Sequence, residues 1–510
     1  MKRKITTFLI SFLFFTANNG FSQPDKNVNY QELIKQSQNL AFNFQFDKSR
    51  ALAIKALNQN PLRPEAFNRL AQNYLWFYLG SKNTGEFYKF IDYSDTSIAR
   101  AEKLLDNNPN NTELLYLFGN IYKQRAMAFI EKQEKLSAFW AAKKAVGYYK
   151  DVLDLDKTFF DAKGGIGIFE YALSFVPGYL KWALSLTGLS YNKEDGFDKI
   201  VKAYNLGKRD KPEITFHTAK LYDEYLADYP KALEIIKKLL EQFPNNQLFH
   251  FQYAVELLKN KQPEKAGTEI DKVMKLSNPH FNQTESFANF LKADSYFYQN
   301  KFDKALNYYL EFLKTTKTVD YTGIASYRTA ICYYFSGLDN NVEMFKRYLI
   351  LAANGNLDLE EDAYAKNISS VLLKYGITPP HAEIIKIENL FKAGKYEKVI
   401  ATVNKNISSF RDSDLKALAL IYLAGSYIEQ NKLNEALSKI EELLSIKITR
   451  ELWTKPMALF YKAKIKYKMK DYQRIYKPLK IAEDSNKYEK QNLIQSYING
   501  LKRKVKDLGY

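Results

Sequence analysis

The sequence predicts an all-α protein, an α-solenoid (superhelix) of helix-turn-helix repeats, and three observations lead to this fold class. The 510 residues include only 21 Gly and 14 Pro, which is few helix breakers for the length. Apolar residues (46%) and charged residues (26%) stand in a globular balance, which argues against global disorder. One spacing of small and large apolar residues also recurs along the chain, and this indicates a repeat array.

The first 22 residues are expected to be a cleavable secretory signal peptide. Residues 1–4 are basic, residues 5–15 are mainly apolar, and Gly20 and Ser22 place small residues before a cleavage site at Gln23. The apolar stretch is well short of the roughly 20 residues that a membrane-spanning helix needs. No Cys lies near the site, so a lipoprotein is not predicted. We expect the periplasm or the outer-membrane face, and the Lys-, Asn- and Tyr-rich usage is typical of Bacteroidetes.

A five-residue pattern with spacings 3, 6, 3 and 4 defines the repeat. Its two full copies are Ala293, Tyr296, Phe302, Ala305, Tyr309 and Ala424, Tyr427, Leu433, Ala436, Ile440. The alanines are expected where two antiparallel helices approach closely, and the larger residues fill the space one turn away. Units end in pairs such as Asn108-Pro109 and Asn278-Pro279, because Pro stops one helix and Asn caps or turns into the next.

This order of small, Tyr, Ala and Pro positions resembles the tetratricopeptide repeat, a unit of about 34 residues. The resemblance is clearest over 213–318 and 415–449, and it implies about ten or eleven helix pairs. The block 45–245 also resembles a tetratricopeptide family that includes eukaryotic proteins linked to inclusion-body clearance and to the mitochondrial outer membrane. The fold implied is an α-solenoid of tetratricopeptide-type repeats, and the function implied is partner binding.

The periodicity divides the mature chain into five parts. They are helix pairs with long hairpins (23–160), an irregular Gly- and Pro-interrupted block (161–206), a central array (207–356), a C-terminal array (357–454) and basic capping helices (455–510). In the irregular block, a break at 175–178 precedes an apolar segment at 179–189. Gly164, Gly165 and Gly167 lack the spacing of a nucleotide-binding loop, so we interpret them as sites of close helix packing.

The sequence carries no motif for catalysis or metal binding. The four histidines, His217, His250, His280 and His381, lie outside any known metal-binding spacing, and the single Cys332 forms no paired-cysteine site. No Gly-x-Ser-x-Gly elbow or phosphate-binding loop occurs. We therefore predict no cofactor, no metal and no enzymatic activity. A convergent active site or a glycan-binding surface on the repeat scaffold stays open as an alternative.

A protein or peptide partner is expected on the concave surface, which the first helix of each unit lines. The candidate groove residues are Asn68, Gln72, Asn120, Asp294 and Ser426. Asn120 directly follows Gly119, where several peptide-binding repeats place an amide that holds the ligand backbone. The alternative is that Asn120 is an ordinary solvated residue of the helix.

The net charge of +18 is concentrated near the C-terminus. Residues 455–510 hold fifteen Lys and Arg against five Asp and Glu. The candidate basic patch is Lys462, Lys464, Lys466, Lys468 and Lys470, which the repeat phase places on a helix. The alternatives are a solvated capping helix, a patch for an acidic partner, or docking on an anionic membrane surface together with block 161–206. Nucleic acid is not predicted as a partner, because the chain is expected to be exported.

Overall fold

The computed structural model describes residues 29–173, 192–337 and 341–510. Within these ranges the regular structure is helical and no β-strand occurs, so the all-α prediction is confirmed. The predicted signal peptide, the break at 175–178 and the apolar segment at 179–189 lie outside the described residues.

Twenty-four α-helices are described, and most are 11 to 17 residues long. The first twelve are α1 (Tyr30–Phe42), α2 (Phe46–Gln59), α3 (Glu65–Ser81), α4 (Thr84–Asn107), α5 (Thr112–Glu131), α6 (Lys135–Leu155), α7 (Phe160–Leu173), α8 (Lys193–Leu206), α9 (Lys211–Glu224), α10 (Tyr229–Gln242), α11 (Gln247–Lys259) and α12 (Pro263–Lys275). The last twelve are α13 (Asn282–Phe297), α14 (Phe302–Thr315), α15 (Thr322–Ser336), α16 (Asn341–Leu351), α17 (Glu360–Tyr375), α18 (Pro379–Lys392), α19 (Tyr396–Asn406), α20 (Ser413–Glu429), α21 (Leu433–Ser445), α22 (Thr454–Lys468), α23 (Tyr476–Ser485) and α24 (Gln491–Lys506).

Consecutive helices pack in pairs, and eleven pairs are described, from α1–α2 to α22–α23. Helices α17 and α24 stand outside these pairs. The small positions of the repeat, Ala293, Ala305, Ala424 and Ala436, are fully buried, as expected where two helices approach closely. The prediction of an α-solenoid built from tetratricopeptide-type pairs is therefore confirmed.

Capping side chains begin many of the first helices of the pairs. The Asn111 side chain accepts hydrogen bonds from the backbone N–H groups of Glu113 and Leu114, both at 3.1 Å, at the start of α5. Asn246 and Asp412 make the same kind of cap for α11 and α20. These caps satisfy N–H groups that a helix start leaves without partners, and they fix where each unit begins.

The turn inside a pair has one recurring backbone conformation. A single residue adopts a left-handed conformation two positions before the second helix, with φ between 58° and 63° in six non-glycine examples: Phe44, Lys82, Gln133, Lys261, Asn300 and Asn431. In all of these except Lys82, the next residue donates its N–H to a carbonyl five positions earlier, as Lys432 does to Tyr427 at 2.8 Å. This hydrogen bond closes the first helix and turns the chain back on itself.

Glycines allow the helices around Tyr149 to approach closely. The Tyr149 ring is fully buried between Gly119 and Gly165, and a Cβ built on either glycine would lie 2.5 Å from the ring. Gly164 meets Ala203 and Gly167 meets the Gly196 carbonyl in the same way. The interpretation of Gly164, Gly165 and Gly167 as packing positions is therefore confirmed.

Successive turns of the superhelix touch each other. The Asn246 amide donates a 2.6 Å hydrogen bond to the carbonyl of Phe42, and the ring of His280 stacks on Phe77 at a centroid distance of 3.7 Å. These partners are about two hundred residues apart in sequence. The solenoid is thus wound tightly enough for the first two helix pairs to pack on the segment that contains α11 and the start of α13.

Candidate binding surface

The structure corrects the predicted groove residues. Asn68, Asn120, Asp294 and Ser426 lie on first helices as expected, but their side chains are buried, and Gln72 is half-buried. The Ser426 hydroxyl donates to the carbonyl of Tyr422 at 2.8 Å, within its own helix. Side chains of adjacent helices contact Asn120 and Asp294, so these two residues face other helices instead of an open groove.

Asn120 joins three segments of the N-terminal half. Its amide donates to the carboxylate of Asp210 at 2.9 Å, and its carbonyl accepts from the Tyr149 hydroxyl at 2.8 Å. The Tyr116 hydroxyl donates to the same carboxylate. One helical turn away, Lys123 on α5 forms a 2.7 Å ion pair with a glutamate on α9. The amide is therefore used to hold α5, α6 and the start of α9 together, and it is not presented to a ligand backbone.

Asp294 has an equally internal role. Its carboxylate accepts hydrogen bonds from the Tyr309 hydroxyl and from the Arg328 guanidinium, both at 2.5 Å. All three side chains are buried. Because a buried charge is costly unless it is paired and hydrogen-bonded, this arrangement stabilises the contact of α13, α14 and α15.

The candidate basic patch is largely neutralised within the chain. Lys462, Lys464 and Lys466 pair with Glu441 (2.6 Å), Glu429 (2.8 Å) and Asp471 (3.2 Å). The stretch is helical up to Lys468, as the repeat phase predicts, and Lys470 occupies the left-handed turn that follows. Strict alternation of lysines along a helix spreads them over a wide arc, so Lys462, Lys464 and Lys466 each reach a different acidic neighbour.

The last helix, α24, packs against residues 194–228. Arg503 lies 2.8 Å from Asp198, Lys506 lies 2.5 Å from Glu194, and Lys504 pairs with an aspartate before α10 at 2.9 Å. A Cβ at Gly500 would lie 2.0 Å from the carbonyl oxygen of Leu226, so the backbones are in direct contact. These contacts close the C-terminal half into a ring. In the sequence, the lysines and arginines that make them are visible only as an excess of basic residues near the C-terminus.

Further contacts join opposite walls inside this ring. The Lys261 ammonium lies 3.6 Å from the centroid of the Phe391 ring, and Lys395 pairs with Glu264 at 3.1 Å. Burial lowers the pKa of Lys261 to about 7. The inner face of the ring is therefore lined by aromatic and charged side chains from units that are distant in sequence.

A cavity of about 450 Å³ opens beside α17 in this C-terminal half. One face of α17 forms its floor, and the starts of α18 and α20 and the loops before α22 and α24 form its rim. The lining residues are Tyr364, Asn367, Ile368, Val371, Tyr375, Gly376, Thr378, His381, Asp412, Asp414, Leu415, Arg450, Glu451 and Glu489.

The charges at the α20 rim of the cavity are already compensated. Both carboxylate oxygens of Asp412 accept from the Arg450 guanidinium, at 2.8 and 2.7 Å. Asp414 is buried and accepts from the Thr449 hydroxyl at 2.8 Å and from three backbone N–H groups. Burial, and then the neighbouring guanidinium, lower the pKa of His381, while the Asp412 carboxylate acts in the opposite direction.

The opposite end of the cavity carries two carboxylates with weaker compensation. Glu451 accepts a 2.6 Å hydrogen bond from the Trp453 indole, and Glu489 accepts a long 3.4 Å bond from Asn367. The ammonium of Lys490 lies 3.5 Å from the centroid of the Trp453 ring. Burial raises the pKa of Glu451 and the nearby Lys490 lowers it, while neighbouring glutamates raise it further.

Sequence reasoning missed this cavity for a physical reason. Helix α17 has no partner helix in a pair, so it leaves no repeat pattern. The rim residues at the start of α20 and in the loops before α22 and α24 lie 37 to 114 positions beyond its end. One local signal was present, the spacing of Tyr364, Ile368, Val371 and Tyr375, which marks one face of a helix. That signal alone does not distinguish a cavity floor from a core face.

Two further properties of the described residues complete the description of the surface. No described helix combines the length and the apolar character that a membrane crossing requires. Across 29–173, 192–337 and 341–510, no cluster of three or more His, Cys, Asp or Glu residues is arranged to hold a metal ion.

Comparison with known proteins identifies the repeat type. Residues 159–350 match the family model Iml2/Tetratricopeptide repeat protein 39. The predicted resemblance at 45–245 and this match share residues 159–245, and the match extends further toward the C-terminus. The prediction of a tetratricopeptide-type repeat protein is thus confirmed. Among curated proteins, none matches the chain significantly.

Solved structures of similar repeats share little more than the helical architecture. Yeast Tom70 is 14% identical, covering 86% of this chain and 96% of its own, with a TM-score of 0.30. The P58(IPK) TPR domain is 15% identical (94% and 99% covered, TM-score 0.22). The human IFIT1 dimer with PPP-AAAA is 15% identical (81% and 94% covered, TM-score 0.34). Similarity at this level carries no information about what the present chain binds.

Proposed function

We propose that this chain is an exported, non-enzymatic tetratricopeptide-type scaffold that binds an extended segment of a protein partner in the cavity beside α17. The cavity carries the proposal. Its volume of about 450 Å³ is typical of binding clefts, and its walls combine tyrosines with a few polar groups that can fix the orientation of a ligand. Export to the periplasm or the outer-membrane face rests on the signal-peptide pattern of residues 1–22.

The shape of the cavity favours an extended segment. Tyr364, Ile368, Val371 and Tyr375 follow one another along one face of α17 over about three turns, roughly 16 Å of helix. Five residues of extended chain span a similar length. The Tyr375 side chain at the far end is mostly exposed. A partner segment laid along this face would contact the helix starts on the opposite rim without a large change of shape.

Photo-crosslinking in the bacterium that exports the protein tests the proposal. A photoreactive phenylalanine analogue at Ile368 is expected to capture one protein partner, which mass spectrometry of the adduct identifies. The matched control is the same analogue at Ile54, an exposed position on α2 far from the cavity in sequence.

The two positions give a clear decision. A single partner protein crosslinked from Ile368 and absent from Ile54 supports the proposal, and the adducted peptide should come from a flexible or extended part of that partner. Adducts of equal pattern from both positions, adducts to glycan or lipid, or no adduct from Ile368 would contradict it.

A further inference from the structure

The two ends of the cavity differ in how completely their charges are paired. At the α20 rim, Arg450 neutralises Asp412 through two hydrogen bonds, and Asp414 is saturated by its four donors. At the other end, Glu451 and Glu489 accept one hydrogen bond each, from neutral donors. The acceptor capacity that stays open toward the cavity therefore lies at this end, on the carboxylates of Glu451 and Glu489.

The same end already holds one cation. The Lys490 ammonium lies over the Trp453 ring at 3.5 Å and within 5.4 Å of the centroid of the Tyr364 ring. Aromatic faces attract ammonium and guanidinium groups, most strongly where the site is partly desolvated. The wall is thus suited to positive groups. Lys490 lowers the pKa of Glu451, and the nearby Glu388 already pairs with Lys392 at 2.7 Å.

The floor of the cavity offers an apolar surface to the methylene stem of an arginine or lysine side chain. Ile368 and Val371 on α17 and Leu415 on α20 form an apolar stretch between the two rims. Arginine and lysine bury their methylene stems along apolar surface while the charged head seeks a polar partner. A guanidinium can also bridge two carboxylates, because its donors lie in a planar fork.

We infer that the Glu451–Glu489 end of the cavity binds the cationic side chain, arginine or lysine, of the partner's extended segment. The methylene stem lies along Ile368, Val371 and Leu415, and the charged head reaches the two glutamates beside Tyr364. This inference rests on the proposed function, because it names the chemistry of the segment that the cavity receives.

Calorimetry with short peptides on the full chain tests the inference. The probe is acetyl-Gly-Gly-Arg-Gly-Gly-amide, and its matched control has citrulline in place of arginine, which keeps the shape and removes the charge. The arginine peptide is expected to bind about tenfold more tightly, equivalent to about 1.4 kcal/mol, and to lose this advantage as salt concentration rises.

Substitutions of the two glutamates test whether they are the site that binds the arginine side chain. The double substitution Glu451→Gln with Glu489→Gln is expected to bring the arginine peptide down to the affinity of the citrulline peptide. The substituted amide oxygen at position 451 would still accept from the Trp453 indole, and circular dichroism checks that the fold is retained. The matched control is Glu441→Gln, which removes a carboxylate paired with Lys462 outside the cavity and should leave binding unchanged.

Failure of the inference and failure of the proposed function are distinguishable. Equal affinity for both peptides, no binding of the arginine peptide, or unchanged binding in the double variant overturns the inference. If the photo-crosslink from Ile368 to one partner persists in that case, the proposed function stands with a different segment chemistry. If the crosslink from Ile368 is lost as well, both the inference and the proposed function are contradicted.

Discussion

Arg503 in the last helix donates a 2.8 Å hydrogen bond to Asp198, a residue 305 positions earlier in the chain. The guanidinium also pairs with Asp507, the residue that follows this helix, at 3.0 Å. Through this contact and its neighbours, the C-terminal helix α24 holds the C-terminal half in a closed ring. The basic excess at the end of the sequence is thus used in the fold.

A methyl group at position 500 is expected to disturb the ring closure. Gly500→Ala would place a Cβ 2.0 Å from the Leu226 carbonyl oxygen, so α24 must shift. We expect the free energy of unfolding to fall by about 1–3 kcal/mol, the usual cost of overpacking. Chemical denaturation measures this change.

Gly147→Ala is the matched control for that substitution. Gly147 lies within α6, and nothing lies within 4 Å of a Cβ built there. Alanine is the better helix former by up to about 1 kcal/mol, so this variant should be as stable as the native chain or more stable. Equal effects of the two substitutions would show that Gly500 has no special contact.

Charge reversal tests the ion pair itself. Arg503→Asp and Asp198→Arg are each expected to lower the free energy of unfolding by about 0.5–1 kcal/mol at low salt, since the pair is partly exposed. The double reversal should recover part of this loss, and the coupling should shrink at high salt. Strictly additive losses in the double variant would argue against a direct interaction.

Asn120 is expected to matter for stability. In Asn120→Ala, the Tyr149 hydroxyl and the Asp210 carboxylate each lose a hydrogen-bond partner in a buried network, at a cost of about 1–3 kcal/mol. Gln72→Ala, at a half-buried groove candidate, should change stability by no more than about 0.5 kcal/mol. Thermal and chemical unfolding compare the two, and an unchanged stability of Asn120→Ala would contradict the internal role.

Stability should fall as pH rises from about 5 to 8 because of Glu256. Burial raises the pKa of this carboxyl to about 8, and the adjacent Asp223 contributes to the increase. In the unfolded chain a glutamate has a pKa near 4.3, so between these values the folded protein binds more protons than the unfolded one. Its contribution is fully present below the unfolded pKa and is lost as pH rises through 8.

Glu256→Gln isolates this effect. Glutamine retains an acceptor for the Gln252 amide, which donates to Glu256 at 2.6 Å, but it does not titrate. Unfolding by urea between pH 5 and 8.5 should give a flatter stability profile for the variant than for the native chain. Parallel profiles would show that Glu256 is not the group responsible.

The repeat architecture was predictable because the pattern that indicates it is formed by residues close together in sequence. Ala293 and Ala305, or Ala424 and Ala436, are close in sequence and lie at helix approaches in every such unit, so their pattern alone implies paired helices. The left-handed turn was less visible, because Phe, Gln, Lys and Asn all occupy it and no single residue type marks it.

The binding surface could not be predicted in the same way. How far each pair rotates relative to the next determines whether first-helix residues such as Ser426 and Asp294 face a groove or a neighbouring helix. The rotations of many units add up, and the total rotation determines whether distant residues such as Arg503 and Asp198 come into contact. Residue spacing within one unit carries little information about it.

Zero-length carbodiimide crosslinking of the native chain is the most direct test of the closed ring. It joins only amines and carboxylates already in contact, and the structure places Lys506 2.5 Å from Glu194 and Lys504 2.9 Å from Asp228. We predict that mass spectrometry of the monomer finds both links within one chain. A monomer in which α24 is not linked to residues 194–228, while local pairs such as Lys502 with Glu483 are linked, would contradict the closure.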